Sequence, residues 1–67
     1  MIRLRILEIL NEQGKTKYWL CKRLEMSHAN FNRIVSNSTT GIRFDTLDKI
    51  SKLLEVPVGD LFEQTDD

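Results

Sequence analysis

His28, Ala29, Asn32 and Arg33 stand at i, i+1, i+4 and i+5 of the run Ser27-His-Ala-Asn-Phe-Asn-Arg-Ile-Val-Ser36. On an α-helix this spacing puts all four on one face, with Asn30 at its edge. Phe31, Ile34 and Val35, at i, i+3 and i+4, make the opposite, apolar face. The polar face is rich in hydrogen-bonding groups and carries no carboxylate. Arginine pairs bidentately with guanine O6 and N7, and asparagine with adenine N6 and N7. A small Ala lets a helix approach closely, and its methyl can touch thymine. An ordinary solvated face is also polar, so the argument for nucleic acid rests on the set and not on any one residue.

Catalytic and metal chemistry find no comparable support. A single cysteine, Cys21, precludes an internal disulfide, and one His with one Cys cannot build a zinc site. Helical phase sends Cys21 inward and His28 outward, so a catalytic thiol–imidazole pair is not expected. The sequence holds no nucleophile–base–orienter set, no glycine-rich phosphate loop and no supported carboxylate pair. No enzyme, cofactor or metal is expected.

Five short helices can be read around this face. The first runs from about Leu4 to Gln13, with Ile6, Leu7 and Leu10 at helical spacing and Gly14 to stop it. The alternation Ile2-Arg3-Leu4-Arg5-Ile6 also allows a short strand at its start. Thr16 caps a second helix that ends at Glu25, with Leu20 and Leu24 inward. Ser27 caps the third, from His28 to about Ser36, so only Glu25, Met26 and Ser27 separate the two. The polar run Asn37-Ser-Thr-Thr-Gly41 is a loop. The fourth helix carries the stripe Leu47, Ile50 and Leu54; either Asp45 caps it or Phe44 extends the stripe. The fifth spans Pro57 to Phe62, with proline in the first turn. Residues 63–67 read as a polar tail.

The chain has 67 residues, enough for one domain near the lower limit for a single core. Hydrophobic residues make up 40% and charged residues 30%, which suits a compact fold and argues against disorder. No apolar run approaches a membrane span, and the N-terminus lacks the hydrophobic block of a signal peptide, so a cytoplasmic location is expected. The net charge of zero is unevenly spread. Residues 1–33 hold seven of the ten Lys and Arg against three Glu, whereas residues 34–67 hold three basic residues against seven acidic ones. Such a chain can turn a positive face to phosphates while its average stays neutral.

The stretch Thr16-Lys-Tyr-Trp-Leu-Cys-Lys-Arg-Leu-Glu-Met-Ser-His-Ala-Asn-Phe-Asn-Arg-Ile34 resembles the helix-turn-helix of the Cro and phage-repressor type, the xenobiotic response element family. Phe44-Asp-Thr-Leu-Asp-Lys-Ile50 and Val56-Pro-Val-Gly-Asp-Leu-Phe62 are similar to that family's fourth and fifth helices, so the likeness covers nearly the whole chain. The resemblance implies an all-α, compact, λ-repressor-like five-helix bundle, a single helix-turn-helix domain over residues 1–67. It implies that His28, Ala29, Asn32 and Arg33 face bases. Lys17 takes the position that usually holds a phosphate-contacting Gln, and Asn30 touches base or backbone. Asn37, Thr39, Thr40 and Arg43 are further candidates for the DNA backbone. Two departures stand out: Cys21 replaces the usual small Ala, and Glu25 replaces the turn Gly, which requires a strained non-glycine turn.

The expectation is a transcriptional regulator that binds double-stranded DNA as a dimer on an inverted repeat, because so small a domain makes few base contacts. A weak homodimer is expected through the helix four–five region, with Leu53, Val58 and Phe62 in one patch and Leu61 at its rim. Ile2 and Leu4, surplus to one core, would extend it. The alternative is a protein-interaction module, antitoxin-like or anti-repressor, favoured by the zero net charge, Glu25 and the acidic tail.

Overall fold

A computed structural model describes residues 1–66. The elements are β1 (Ile2–Leu4), α1 (Ile6–Glu12), α2 (Lys17–Leu24), α3 (His28–Val35), α4 (Phe44–Leu54), a 3₁₀ turn (Val58–Leu61) and β2 (Phe62–Gln64). Among the described residues no helix is long and apolar enough to cross a membrane.

The five-helix, all-α expectation is corrected at both ends of the chain. Among the described residues there are four α-helices, and in place of the fifth stands a 3₁₀ turn with Pro57 in front of it as N-cap. Residues 2–4 form a strand, not the first turn of a helix, and α1 starts only at Ile6. The reason is a non-local partner. β1 pairs antiparallel with β2 in the register Ile2↔Gln64, Arg3↔Glu63 and Leu4↔Phe62. Arg3 bridges Glu8 at 2.9 Å and Glu63 at 3.0 Å, which holds the pair against α1. The polar tail is therefore ordered at its start: Glu63 and Gln64 lie in β2, and Thr65 exchanges bonds with Met1. Asp67 lies outside the described residues.

The core gathers residues from every element but β2, whose Phe62 packs half-buried against it. Leu4, Ile6, Ile9, Leu10, Leu20, Cys21, Leu24, Phe31, Ile34, Val35, Leu47, Ile50, Leu54 and Leu61 are all buried. On α1 the inward position belongs to Ile9, while Leu7 is exposed. The start of α4 is Phe44, but the residue is 89% exposed. Asp45 does not cap the helix; its carboxylate accepts from the Thr46 N–H and pairs with Arg43. Leu4 and Leu61 belong to the core, and Leu53 and Phe62 are half-buried against it. Of the expected dimer patch, Val58 is exposed, as is Ile2 at the N-terminus.

Candidate nucleic-acid interface

Two side-chain caps position the helix pair. Thr16 Oγ1 accepts from the Trp19 N–H at 3.0 Å and opens α2. Ser27 Oγ accepts from the Asn30 N–H at 3.2 Å and opens α3. Between them Glu25 takes the left-handed conformation at φ 55° and ψ 38°, the strained turn that the sequence implied. Met26 is half-buried under the turn. Phe31 is 2% exposed, and Ile34 and Val35 are buried beside it. His28, Ala29, Asn30, Asn32 and Arg33 are left on the exposed face of α3.

Helix α3 forms a ridge between two grooves. One, of about 250 Å³, lies between α2 and α3 and is lined by Lys17, Tyr18, Cys21, His28, Phe31 and Asn32. The other, of about 230 Å³, lies between α3 and the loop leading to α4, and it includes Asn30, Arg33, Thr39 and Arg43. Thus the structure brings seven of the predicted site residues to the walls of these two grooves, with Ala29 exposed on the same helix. A ridge flanked by polar and cationic walls suits a major groove about 12 Å wide, which admits one helix between two phosphate backbones.

The loop residues divide. Thr40 is exposed and lines a separate cavity with Ile2, Arg3 and Asn37. Thr39 Oγ1 donates to the Gly41 carbonyl at 2.6 Å and accepts from the Gly41 N–H at 3.2 Å, so its hydroxyl shapes the loop. Arg43 pairs with Asp45 at 3.2 Å, a highly exposed pair that is worth little and readily opens to a phosphate. Asn37 is engaged within the fold. Its Oδ1 accepts from the Leu4 N–H at 2.6 Å and its Nδ2 donates to the Leu4 carbonyl at 3.2 Å.

Cys21 is buried and His28 exposed, as their helical phases imply, but their side chains come close. The thiol is buried as expected, yet its Sγ lies 3.9 Å from His28 Nδ1 and donates to the Met26 carbonyl at 3.4 Å. The two residues meet because Cys21 sits at the seam where the first turn of α3 docks, not in the centre of the core.

The charge pattern is sharper in space than in a half-by-half count. From Gln13 to Phe44 the only carboxylate is Glu25. Arg3, Arg5, Arg43 and Lys52 are ion-paired. Among the described residues Lys15, Lys17, Lys22, Arg23, Arg33 and Lys49 make no ion pair, and all of these but Lys49 of α4 lie in or beside α2 and α3. The aromatic support of three of these cations was missed in the sequence, although the i, i+4 spacing of Lys15, Trp19 and Arg23 was visible there.

The sequence profile of the Cro/C1-type helix-turn-helix DNA-binding domain matches residues 5–67. The chain belongs to that family. It is also similar to a crystal structure from Bacteroides fragilis, of a protein provisionally described as DNA-binding, with a TM-score of 0.83 and 30% identity. The match covers 94% of this chain and 100% of the other. No curated protein is similar enough in sequence to match. The family is one of DNA-binding domains.

Proposed function

We propose that this domain is a sequence-specific transcriptional regulator that reads the major groove with α3 and binds an inverted repeat as a dimer. The observation that carries the reading is the exposed, carboxylate-free face of α3 between two grooves with cations on their walls. His28, Ala29, Asn32 and Arg33 meet base edges; Lys17, Asn30, Thr39, Thr40 and Arg43 meet the backbone. Arg33 at the edge of one groove suits bidentate pairing with guanine. Lys17, in the first turn of α2, suits a phosphate.

The dimer is supported by an apolar groove of about 420 Å³ lined by Phe44, Leu47, Asp48, Val58 and Phe62. A two-fold axis beside it makes the surface self-complementary and sets two reading helices about 34 Å apart, one turn of DNA. Leu53 is half-buried against the core and does not line this groove.

The test is to select bound sequences from a random duplex pool and then measure two variants over a salt series. Arg33→Ala costs about 1–3 kcal/mol on the selected sequence and relaxes one position per half-site. Lys17→Ala weakens all sequences alike and lowers the slope of log affinity against log salt by about one. Equal losses on selected and random DNA for both variants would refute the assignment of α3 as reader.

A further inference from the structure

The outer side of α2 carries a cluster that reading bases does not require. Lys15 Nζ lies 4.6 Å from the centre of the Trp19 ring, and the Arg23 guanidinium lies 4.5 Å from the same centre. Lys22 Nζ lies 5.8 Å from the centre of the Tyr18 ring. The spacing produces most of this: on α2, 19 and 23 form one i, i+4 pair and 18 and 22 the next, while Lys15, two residues before the helix, reaches the Trp19 ring from the turn that follows α1. Trp19 is half-buried against the core and so forms a fixed platform. Tyr18 is 63% exposed and also lines the groove that holds Lys17, His28 and Asn32.

An aromatic ring and a carboxylate hold a cation in different ways. A carboxylate cancels its charge, and the pair must open before the cation meets another anion. A ring orders the cation through its quadrupole and leaves the full charge available. The chain uses both devices in separate places. Arg3, Arg5, Arg43 and Lys52 are held by carboxylates. Lys15, Lys22 and Arg23 are held by rings and make no ion pair among the described residues. No acidic residue lies between Gln13 and Leu24 to oppose them. Three ordered cations without counter-charge fit a polyanion, and their continuity with the reading face through Tyr18 and Lys17 favours the same duplex.

We propose that the outer face of α2, with Lys15, Lys22 and Arg23 on Trp19 and Tyr18, is a second phosphate-binding surface that holds duplex DNA flanking the bases read by α3. It rests on the DNA-binding reading above. It lengthens the backbone footprint without adding sequence information.

The experiment uses the whole chain, the variant Lys15→Gln/Lys22→Gln/Arg23→Gln, and two duplexes carrying the selected site. One duplex ends at the site; the other extends about ten base pairs beyond it on each side, one helical turn. On the long duplex the wild-type slope of log affinity against log salt exceeds the variant's by up to about 2.7, at about 0.9 for each phosphate that is no longer neutralised. On the short duplex the two proteins have equal slopes, and the ratio of selected to random affinity is the same for both. Lys22 and Tyr18 are exposed, so Lys22→Gln alone leaves the fold intact and lowers the long-duplex slope by about 0.9. Equal long-duplex slopes for all three proteins would overturn the proposal. Equal slopes together with loss of binding to a polyglutamate peptide would assign the strip to an acidic protein instead. A wild type that binds long duplexes with salt dependence but no sequence preference would overturn base reading by α3, while the slope difference still decides the role of α2.

Discussion

Asn37 ties the end of α3 to the N-terminal strand, and its replacement separates a structural role from a DNA-contacting one. Met1 and Thr65 exchange backbone bonds, so in the antiparallel alternation the N–H and C=O of Leu4 point to the outer edge of β1. The Asn37 amide closes that edge, accepting at 2.6 Å and donating at 3.2 Å. Asn37 itself sits at φ 61°, a left-handed position that asparagine tolerates better than most residues. Asn37→Gly keeps the backbone at ease and removes only the clamp. At about 0.5–1.5 kcal/mol per net hydrogen bond, two bonds contribute about 1–3 kcal/mol. Asn37→Ala adds the left-handed penalty of a β-carbon and costs about 2–4 kcal/mol in all. A domain of this length has roughly 3–10 kcal/mol of stability, so either loss is large. Thermal melts followed by circular dichroism should fall by about 5–20 °C for Asn37→Gly, and by more for Asn37→Ala. Hydrogen exchange should show the Leu4 amide losing protection, while the salt slope for DNA stays at the wild-type value. A wild-type melt for Asn37→Gly refutes the clamp, and a wild-type melt with affinity lowered alike on selected and random DNA returns Asn37 to the DNA backbone.

Glu25→Gly relieves the left-handed turn between α2 and α3 and removes a carboxylate from the negative end of the α2 dipole. Offset by the greater freedom of glycine in the unfolded chain, the net gain is about 0.5–1 kcal/mol, read as a melt raised by a few degrees. A lower melting temperature would show that the turn is not strained. Val58→Lys places a charge in the apolar groove at an exposed position and should move sedimentation equilibrium toward monomer. An unchanged equilibrium removes that surface from the dimer; Leu53→Lys is the poorer probe, because Leu53 packs against the core.

What was legible in the sequence was local. Thr16 and Ser27 marked the starts of α2 and α3, because a capping side chain and the N–H it serves are three residues apart. The stripe Phe31, Ile34 and Val35 placed the outward face of α3 correctly, since one helical period fixes both sides. The misses depend on partners distant in the chain. Ile2-Arg3-Leu4 alternates as a strand does, but nothing near it reveals Phe62–Gln64 as its mate. Asn37 reads as a loop residue until Leu4, 33 positions away, is brought beside it. Phe44 keeps the spacing of the α4 stripe, yet the first turn of α4 overhangs the core and leaves the ring in water. Leu7 and Ile9 are equally apolar, and only docking of the helix decides which is buried.

The zero net charge is weaker evidence against DNA binding than it looks, because apart from Glu25 and Asp45 the carboxylates lie outside α2, α3 and the loop that leads to α4. Glu8, Glu12, Asp45, Asp48 and Glu63 are each paired with a cation. Four of these five pairs lie on the terminal strands, α1 or α4, and only Arg43–Asp45 borders the reading face. Their fields fall off within about a Debye length, about 8–10 Å at ordinary salt. A duplex approaching α3 would therefore meet Lys17, Lys22, Arg23 and Arg33 with only Glu25 nearby in the chain to oppose them. Rings hold two of those cations in place, which lowers the entropy lost when phosphate arrives. Low average charge also limits attraction to polyanions at every other face, so neutrality of the whole favours one orientation on DNA over many.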